Sequence, residues 1–187
     1  EYTHKDEKYR RLGFISLMKI DSSVLPHEYT LSKPKEDRMN LIKEVKANLS
    51  PIFTLFYDKS GEVNDILNRT AGAQDPVIDI DAGIQTHKLW RITDKSEIDA
   101  IVRRIDGGGV FIADGHHRTA SSALCAKENR DIENAQYFLS LFIAESNLKI
   151  YEFNRAVSGL NGLSVEEFVE RTKKYFELSA PSNKKIK

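Results

Sequence analysis

The chain has 187 residues, of which 40% are hydrophobic and 30% charged, and its 28 basic and 28 acidic side chains give zero net charge. This composition favours one soluble globular domain with a real core, or one domain and part of a second, and argues against disorder as the main state. Zero net charge excludes a global attraction to nucleic acid or to an anionic membrane surface. The single cysteine, Cys125, is too little for a disulfide scaffold or a cysteine metal site, which fits a reducing cytoplasm.

The two ends of the chain bear on its context. No run is long and apolar enough to span a membrane, and the first residues, EYTHKDEKYRR, lack the apolar core of a signal peptide. The chain also lacks an initiating Met and stops in a polar stretch, APSNKKIK. We therefore expect residues 1–187 to form a single cytoplasmic domain that is the N-terminal or central part of a longer protein. The sequence leaves the oligomeric state open.

In the first half of the chain, predicted strands and helices follow one another. Apolar, β-branched runs between turn residues predict the strands GFISLMKI, IFTLFYD, VIDID and HKLWRIT. Pro34 is placed to open a helix whose apolar residues recur at helical spacing, namely Met39, Ile42, Val45 and Leu49. A second helix, GEVNDILNRTAG, is expected to end at Gly72.

The second half continues this alternation. Ser96 is placed to cap a helix, SEIDAIVRRI, and the strand VFIAD leads into an Ala-rich helix. QYFLSLFIA and LKIYEFN are typical of two strands joined by a turn at 145–147. LSVEEFVERTKKYFEL predicts an amphipathic helix, with Ser164 and Glu167 in a capping-box pattern. Together the elements predict an α/β (or α+β) fold with a mixed sheet and flanking helices.

The junction ADGHHR, where a strand meets a helix, is the first candidate site. The first N–H groups of a helix point at whatever lies above the strand end, which favours an anion such as phosphate. Five residues fall at this junction: Asp114, Gly115, His116, His117 and Arg118. Arg118 could clamp phosphate oxygens, and Asp114 could hold a divalent cation or orient a histidine.

The sequence is equally compatible with a purely structural role for the same junction. Asp114 would then be a helix cap, and the two histidines would be satisfied polar groups at a domain edge. A zinc site is disfavoured, because adjacent histidines lack the usual helical spacing and no Cys pair supports them.

The loop LPHEYT is the second candidate. It carries His27, Glu28 and Thr30 between a strand and a helix, so the Glu28 carboxylate could act as a general base in the same cleft. Glu28 could equally be a solvated loop acid, as most acidic residues are.

Three further positions stand out. Asp37 and Arg38 lie in the first turns of a predicted helix, where dipole compensation and a surface ion pair would explain them. His87 and Trp90 are three apart and face opposite ways on a strand, which makes His87 the cleft candidate and Trp90 a core or pocket-wall residue. Neither a GxSxG nor a Walker sequence is present.

Four segments, in order, resemble one known family. HEYTLSKPKEDR, SPIFTLFYD, HKLWRI and VFIADGHHRTASSAL are similar to the domain of unknown function 1015 family, from about Gly13 to about Leu178. Members of that family are usually longer than this chain.

DGHHR also resembles the nucleotide-binding turn of the ParB and sulfiredoxin superfamily, and within it the free serine kinases. That resemblance implies ATP or ADP and Mg²⁺ as cofactors and serine or phosphoserine as the small-molecule substrate. It implies Glu28 as the base, and Asp114 with His116 as organisers of the transferred phosphoryl group and Mg²⁺. The nucleotide phosphates would be held by Gly115, His117, Arg118 and Thr119, with His27, Thr30, Asp37, Arg38 and His87 in supporting positions.

Other functions stay open at this point. A ParB-like nucleotide-binding regulatory or DNA-associated module is disfavoured by the zero net charge and by the lack of a visible helix-turn-helix. A phosphatase acting on phosphoserine needs the same phosphate cradle as a kinase. Sulfiredoxin chemistry is disfavoured, because the DGHHR turn contains no cysteine.

Overall fold

The structure, a computed structural model, describes residues 1–4, 6–20, 24–25, 32–106, 108–151 and 158–179. The chain packs as two compact units, Glu1–Lys149 and Ile150–Lys187. The first contains the sheets and four helices of the described residues, and the second contains one described helix.

The described residues form five α-helices and nine strands. The helices are α1 (Ser32–Val45), α2 (Glu62–Ala73), α3 (Lys95–Asp106), α4 (His116–Glu128) and α5 (Val165–Thr172). The strands are β1 (Tyr2–His4), β2 (Glu7–Tyr9), β3 (Gly13–Lys19), β4 (Val24–Leu25), β5 (Ile52–Phe56), β6 (Ile78–Asp81), β7 (Thr86–Leu89), β8 (Val110–Asp114) and β9 (Tyr137–Ala144).

Five of these strands form one mixed sheet in the order β3-β9-β5-β8-β4. Strand β8 runs parallel to β4 and antiparallel to β5, and β5 in turn runs parallel to β9. The carboxyl end of β8 therefore lies beside the start of β5, with Asp114 opposite Phe53, whereas β4 pairs with the beginning of β8. Two small antiparallel sheets, β1-β2 and β6-β7, complete the first unit.

Alternation along the strands explains how the sheet acquires its core. In β5, Ile52, Thr54 and Phe56 are buried, and the residues between them are partly exposed. Phe56 belongs to a cluster with residues of α2 and α3, including Val63, Ile66 and Ile101. Burial of such side chains is the main stabilising contribution to a domain of this size.

The partly exposed positions lie on the opposite side of each strand. On the two end strands this side is apolar: Ile15, Leu17 and Leu25 are 48%, 61% and 45% exposed. The sheet is therefore well buried on one face and partly exposed on the other.

Two helices end elsewhere than expected. Helix α1 stops at Val45, because Lys46 adopts a positive φ of 54° and the chain turns towards β5, so Leu49 lies outside the helix and is exposed. Helix α2 runs through Gly72 and ends at Ala73. The following residue, Gln74, is extended, and its side chain is anchored by a hydrogen bond to the Arg91 carbonyl.

The cap of α3 also differs from the expected one. Asp94 caps this helix, since its Oδ1 accepts hydrogen bonds from the backbone N–H groups of Ser96 at 2.8 Å and Glu97 at 3.2 Å. Ser96 lies inside the first turn and donates its own hydroxyl to Asp94.

After β9 the chain departs again from the expected pattern. A short 3-10 helix, Glu145–Asn147, forms the expected turn, but residues 148–151 of the predicted strand LKIYEFN are irregular. Both sides of β9 are already taken by β3 and β5, which leaves a further strand no place beside it.

In the second unit, the expected helix cap is confirmed, and the helix itself is shorter than expected. The capping box of Ser164 and Glu167 is formed in both directions. Helix α5 ends at Thr172, before the predicted end, and Tyr175 and Phe176 beyond it are largely exposed, so burial does not support a longer helix.

The α/β fold class with a mixed sheet and flanking helices is confirmed. Among the helices formed by the described residues, none has the length and apolar character required to cross a bilayer.

Candidate functional site

The strand-to-helix junction predicted at ADGHHR is present, and it is very short. Asp114 is the last residue of β8, His116 is the first of α4, and Gly115 alone connects them. Gly115 has a φ of +100°, a value that residues other than glycine rarely adopt. As the N-cap it offers no side chain to the first backbone N–H groups of α4, so the positive end of this helix lies directly beyond the strand.

Arg118 folds back over this turn and is held by three acceptors. Its Nη1 donates to the Ser50 hydroxyl at 2.7 Å and to the Pro51 carbonyl at 2.5 Å, and its Nη2 donates to Asp114 Oδ2 at 2.9 Å. A Cβ on Gly115 would lie only 3.1 Å from Nη2. The positive φ therefore favours glycine at this position, and a side chain there would also lie in tight contact with the Arg118 guanidinium.

The two histidines differ in exposure. His116 is buried and His117 is half-buried. This difference agrees with the expectation that adjacent histidines at a helix start cannot face the same way. Nearby, the Thr119 hydroxyl donates to the Gly115 carbonyl at 3.2 Å, so Thr119 supports the turn from within the helix.

Helix α1 packs beside α4 and brings one further predicted residue, Arg38, to this region. The fully buried Ser121 hydroxyl lies 2.8 Å from the Lys35 carbonyl of α1, which joins the two helices. Arg38 and Arg118 line one small cavity of about 50 Å³. Its apolar lining residues include Leu41, Ile42, Leu49 and Ile52. Asp37 is exposed on α1.

His87 lies outside the five-stranded sheet that carries this junction. It is exposed on β7, in the two-stranded sheet opposite Ile80 of β6. Trp90, just after β7, lines an open cleft at the end of α2, and its indole N–H donates to the Gln74 carbonyl at 3.1 Å. Trp90, predicted as a core or pocket-wall residue, thus lines this cleft, whereas His87, the predicted cleft residue, is not among the described residues that line it.

The second predicted motif, with His27, Glu28 and Thr30, lies outside the described residues. Its flanking elements are described. Strand β4 precedes it and pairs in parallel with β8, with Leu25 opposite Phe111. Helix α1, which follows it, packs on α4.

Sequence reasoning missed the partners of Arg118. Ser50 and Pro51 stand immediately before β5, and β5 is the antiparallel neighbour of β8, with Phe53 opposite Asp114. The SPIF segment of the sequence does not indicate that Pro51 contacts a residue 67 positions away.

Candidate metal ligands near the turn are few. Across the described residues, no group of three or more His, Cys, Asp or Glu side chains is arranged to hold a metal ion. The Asp114 side chain, 74% exposed at the strand end, is an oxygen ligand open to solvent. A single carboxylate suits Mg²⁺ when waters and a phosphate ligand complete its coordination, and it does not suit a metal bound by protein alone.

Comparison with known proteins gives one positive result. No curated protein and no solved structure matches the chain. A family model described as "Protein of unknown function (DUF1015)" matches residues 1–187, the whole chain, so the resemblance to that family is confirmed. The resemblance to the ParB and sulfiredoxin superfamily and to the free serine kinases stays a prediction. The chain belongs to the DUF1015 family.

Proposed function

We propose that the protein is a nucleotide-dependent phosphotransferase that moves a phosphoryl group to or from the hydroxyl of a small amino acid such as serine. The observation that carries the proposal is the one-residue turn at Gly115. It brings together an exposed carboxylate, the positive end of α4 and an arginine held over both.

These parts meet the needs of phosphoryl transfer. The reaction requires little covalent chemistry from the protein and depends on positioning and on neutralising negative charge. The start of α4, with Gly115, His117, Arg118 and Thr119, would hold the nucleotide phosphates. Arg38, which lines the same cavity as Arg118, adds a second cationic group for the same ligand.

Asp114 would hold Mg²⁺ together with the nucleotide phosphates, and His116 would support the transferred group. When bound, Mg²⁺ supplies charge neutralisation of the phosphate oxygens. The fit rests on the exposed Asp114 carboxylate described above, which needs phosphate oxygens and water as further ligands.

Glu28 would be the general base. In the forward direction the serine Oγ–H proton passes to the Glu28 carboxylate as the Oγ–P bond forms. The bond between the terminal phosphorus and its bridging oxygen breaks, and the nucleotide leaves with that oxygen and its electron pair. Support for this role comes from the resemblance and from chain connectivity, since Glu28 joins β4, the parallel neighbour of β8, to α1.

The test is phosphate exchange between L-serine and ATP or ADP with Mg²⁺, run forward and from phosphoserine. It uses the full-length protein and a Glu28→Gln variant. A positioned general base contributes about 10²- to 10⁴-fold, so we expect the variant to lose at least about a hundredfold in turnover while nucleotide binding persists. Glu44→Gln is the matched control, because Glu44 is an exposed glutamate on α1.

Other outcomes contradict the proposal in distinct ways. Nucleotide binding without turnover in either direction would indicate a regulatory module. Release of phosphate from phosphoserine to water, independent of nucleotide, would indicate a phosphatase. Equal activity of the Glu28→Gln and Glu44→Gln variants would remove Glu28 from the mechanism.

A further inference from the structure

We propose that the outer edge of β3 pairs with the same edge of a second copy of this chain, so that two five-stranded sheets join into one across a two-fold axis. This surface is separated from the α4 turn by strands β9 and β5, and the proposal does not depend on the proposed function. Addition of a strand to an exposed sheet edge is a recurring mode of protein recognition, because backbone hydrogen bonds supply the affinity.

The two edges of the sheet differ in length and protection. Strand β4 is two residues long, whereas β3 spans seven, Gly13–Lys19. Strand β3 contains no proline, pairs with β9 without a register shift and carries a charged side chain only at its last residue. Within the part of the first unit that the structure describes, no strand pairs with its other side. A long, regular edge strand without such protection is a template for another strand.

The backbone groups that β3 directs outwards can be assigned. Ile20, directly after β3, donates its N–H to the carbonyl of Gln136, directly before β9, at 3.2 Å. Because backbone groups alternate along a strand, the even-numbered residues of β3 also direct theirs at β9, and the odd-numbered residues direct theirs away. The outward set is Gly13, Ile15, Leu17 and Lys19. The edge therefore presents the N–H and C=O groups of these residues to a partner strand.

This edge is complementary to itself in the antiparallel direction. The two-fold axis passes between Ser16 and the same residue of the second copy. Ile15 then lies opposite Leu17 of the second copy. Gly13 lies opposite Lys19 of the second copy. Each of these facing pairs brings outward backbone groups together, as an antiparallel ladder requires, so the pairing uses all the outward groups of both strands.

Side-chain chemistry favours this register over its neighbours. Ile15 and Leu17 are 48% and 61% exposed, and they would cover each other across the axis. The Lys19 side chain lies opposite Gly13 and meets no like charge. A register shifted by two residues brings Arg11 opposite Lys19 of the second copy, and the opposite shift places Lys19 opposite Ile15. The first shift adds repulsion and the second loses an apolar pair, so a second copy in the unshifted register is the partner that this strand matches.

The experiment measures the mass of the full-length protein by analytical ultracentrifugation over a concentration series, for the wild type and three variants. Leu17→Pro removes an outward N–H, while its inward-directed neighbours keep their bonds to β9. Ile15→Lys places a charge in the apolar pair, as natural edge strands do to prevent pairing. Ile84→Lys is the matched control, because Ile84 is 77% exposed and lies between β6 and β7. Thermal unfolding of each variant checks that it is folded.

We expect the wild type and Ile84→Lys to form dimers. Leu17→Pro should raise the dimer dissociation constant at least about tenfold, because two hydrogen bonds are lost across the axis. Ile15→Lys should weaken the dimer as well, and it keeps the test decisive if the proline variant does not fold. Dimers that persist unchanged in the folded edge variants would overturn the proposal. A wild type that stays monomeric would also overturn it, and would leave the edge to a strand of a different protein.

A cysteine at the axis tests the register itself. Facing residues of a non-hydrogen-bonded antiparallel pair lie about 4.5 Å apart at Cα, within reach of a disulfide. Ser16→Cys should therefore give covalent dimers under mild oxidation. Ile15→Cys should give far fewer, because its copy lies diagonally across the axis. The wild type, with its free Cys125, sets the background. Equal cross-linking of the two variants, or none in Ser16→Cys, would overturn the proposed pairing.

Discussion

Two strands of the sheet end in the same local pattern, and the comparison separates a structural use of it from a candidate functional one. Strand β5 is followed by Asp58, a left-handed Gly61 and helix α2, and strand β8 ends at Asp114, which is followed by a left-handed Gly115 and helix α4. Each aspartate also pairs with an arginine, Asp58 with Arg104 of α3 at 3.8 Å and Asp114 with Arg118 at 2.9 Å.

The first aspartate is used entirely inside the protein. The Asp58 side chain is fully buried and accepts hydrogen bonds from the backbone N–H groups of Val63 at 3.4 Å and Asn64 at 3.0 Å, so it caps α2. Its own N–H donates to Glu145 Oε2 at 2.9 Å, beyond the end of β9. The carboxylate therefore joins helices α2 and α3, and the backbone N–H of the same residue links the regions that follow β5 and β9.

The second aspartate faces solvent. Asp114 leaves the capping of α4 to a glycine, and its carboxylate turns to an arginine whose other contacts fix it in place. A carboxylate that caps its helix is a stabilising group, whereas Asp114 provides no side-chain cap for α4. Burial therefore distinguishes the two aspartates: Asp58 is a buried cap, and Asp114 is the exposed residue for which ligand binding is proposed.

The largest effect is expected from breaking the buried Asp58–Arg104 pair. Asp58→Ala removes a buried charge from beside Arg104 and uncaps α2, so we expect the free energy of unfolding to fall by about 3 kcal/mol. Asp114→Ala, at the exposed pair, should change it by less than about 1 kcal/mol. Urea denaturation of both variants measures the difference, and equal losses would contradict the distinction drawn between the two sites.

A middle-sized effect compares the two glycines. Both have a positive φ, but a Cβ on Gly61 would meet no described atom within 4 Å, whereas one on Gly115 would press on the Arg118 guanidinium. We expect Gly61→Ala to cost about 1 kcal/mol of unfolding free energy from the backbone alone. Gly115→Ala should cost about 2 kcal/mol, because Arg118 cannot move away without losing its bonds to Ser50 and Pro51.

The same pair of variants also separates stability from binding. Calorimetry with ATP and Mg²⁺ should show weakened binding in Gly115→Ala and unchanged binding in Gly61→Ala. If Gly61→Ala were as damaging in both measurements, the close approach of Arg118 would have no importance.

The smallest expected effect concerns Asp94, whose side chain caps helix α3. At α3 the exposed Asp94 carboxylate is the cap, and the hydrogen bond from the Ser96 hydroxyl, followed by those from the backbone of Glu97 and Ser96, lowers the pKa of Asp94 below its ordinary value of 3.8. A lowered pKa means that the ionised cap stabilises the fold above about pH 3.8. This contribution is lost as the pH falls through the lower, folded-state pKa.

The measurement is a stability comparison of the wild type and Asp94→Asn across acidic pH, with carboxyl NMR to follow Asp94. The two proteins should differ above pH 3.8 and converge below the pKa of Asp94 in the folded protein. A difference that stays constant with pH would show that the charge of the cap has no part in it.

Local sequence patterns predicted most of the elements correctly. The strand VFIAD, the helix after it and the turn between them follow from a β-branched run, a glycine and an Ala-rich segment, which are short-range signals. The capping box at Ser164 is equally local. Helix ends were predicted less well. Helix α1 stops where the chain turns into β5, and α3 is capped by Asp94 and not by Ser96, the residue that the sequence suggested.

The sequence by itself determined the α/β alternation, the glycine turn at 114–116 and the presence there of an acid, two histidines and an arginine, because these depend on neighbours along the chain. Only the tertiary structure decided what each charged group does. Asp58 became a buried cap because α3 brings Arg104 to it, and Arg118 became fixed because β5 lies beside β8 and places Ser50 and Pro51 within reach. Such contacts depend on strand order, and no pattern of neighbouring residues contains it.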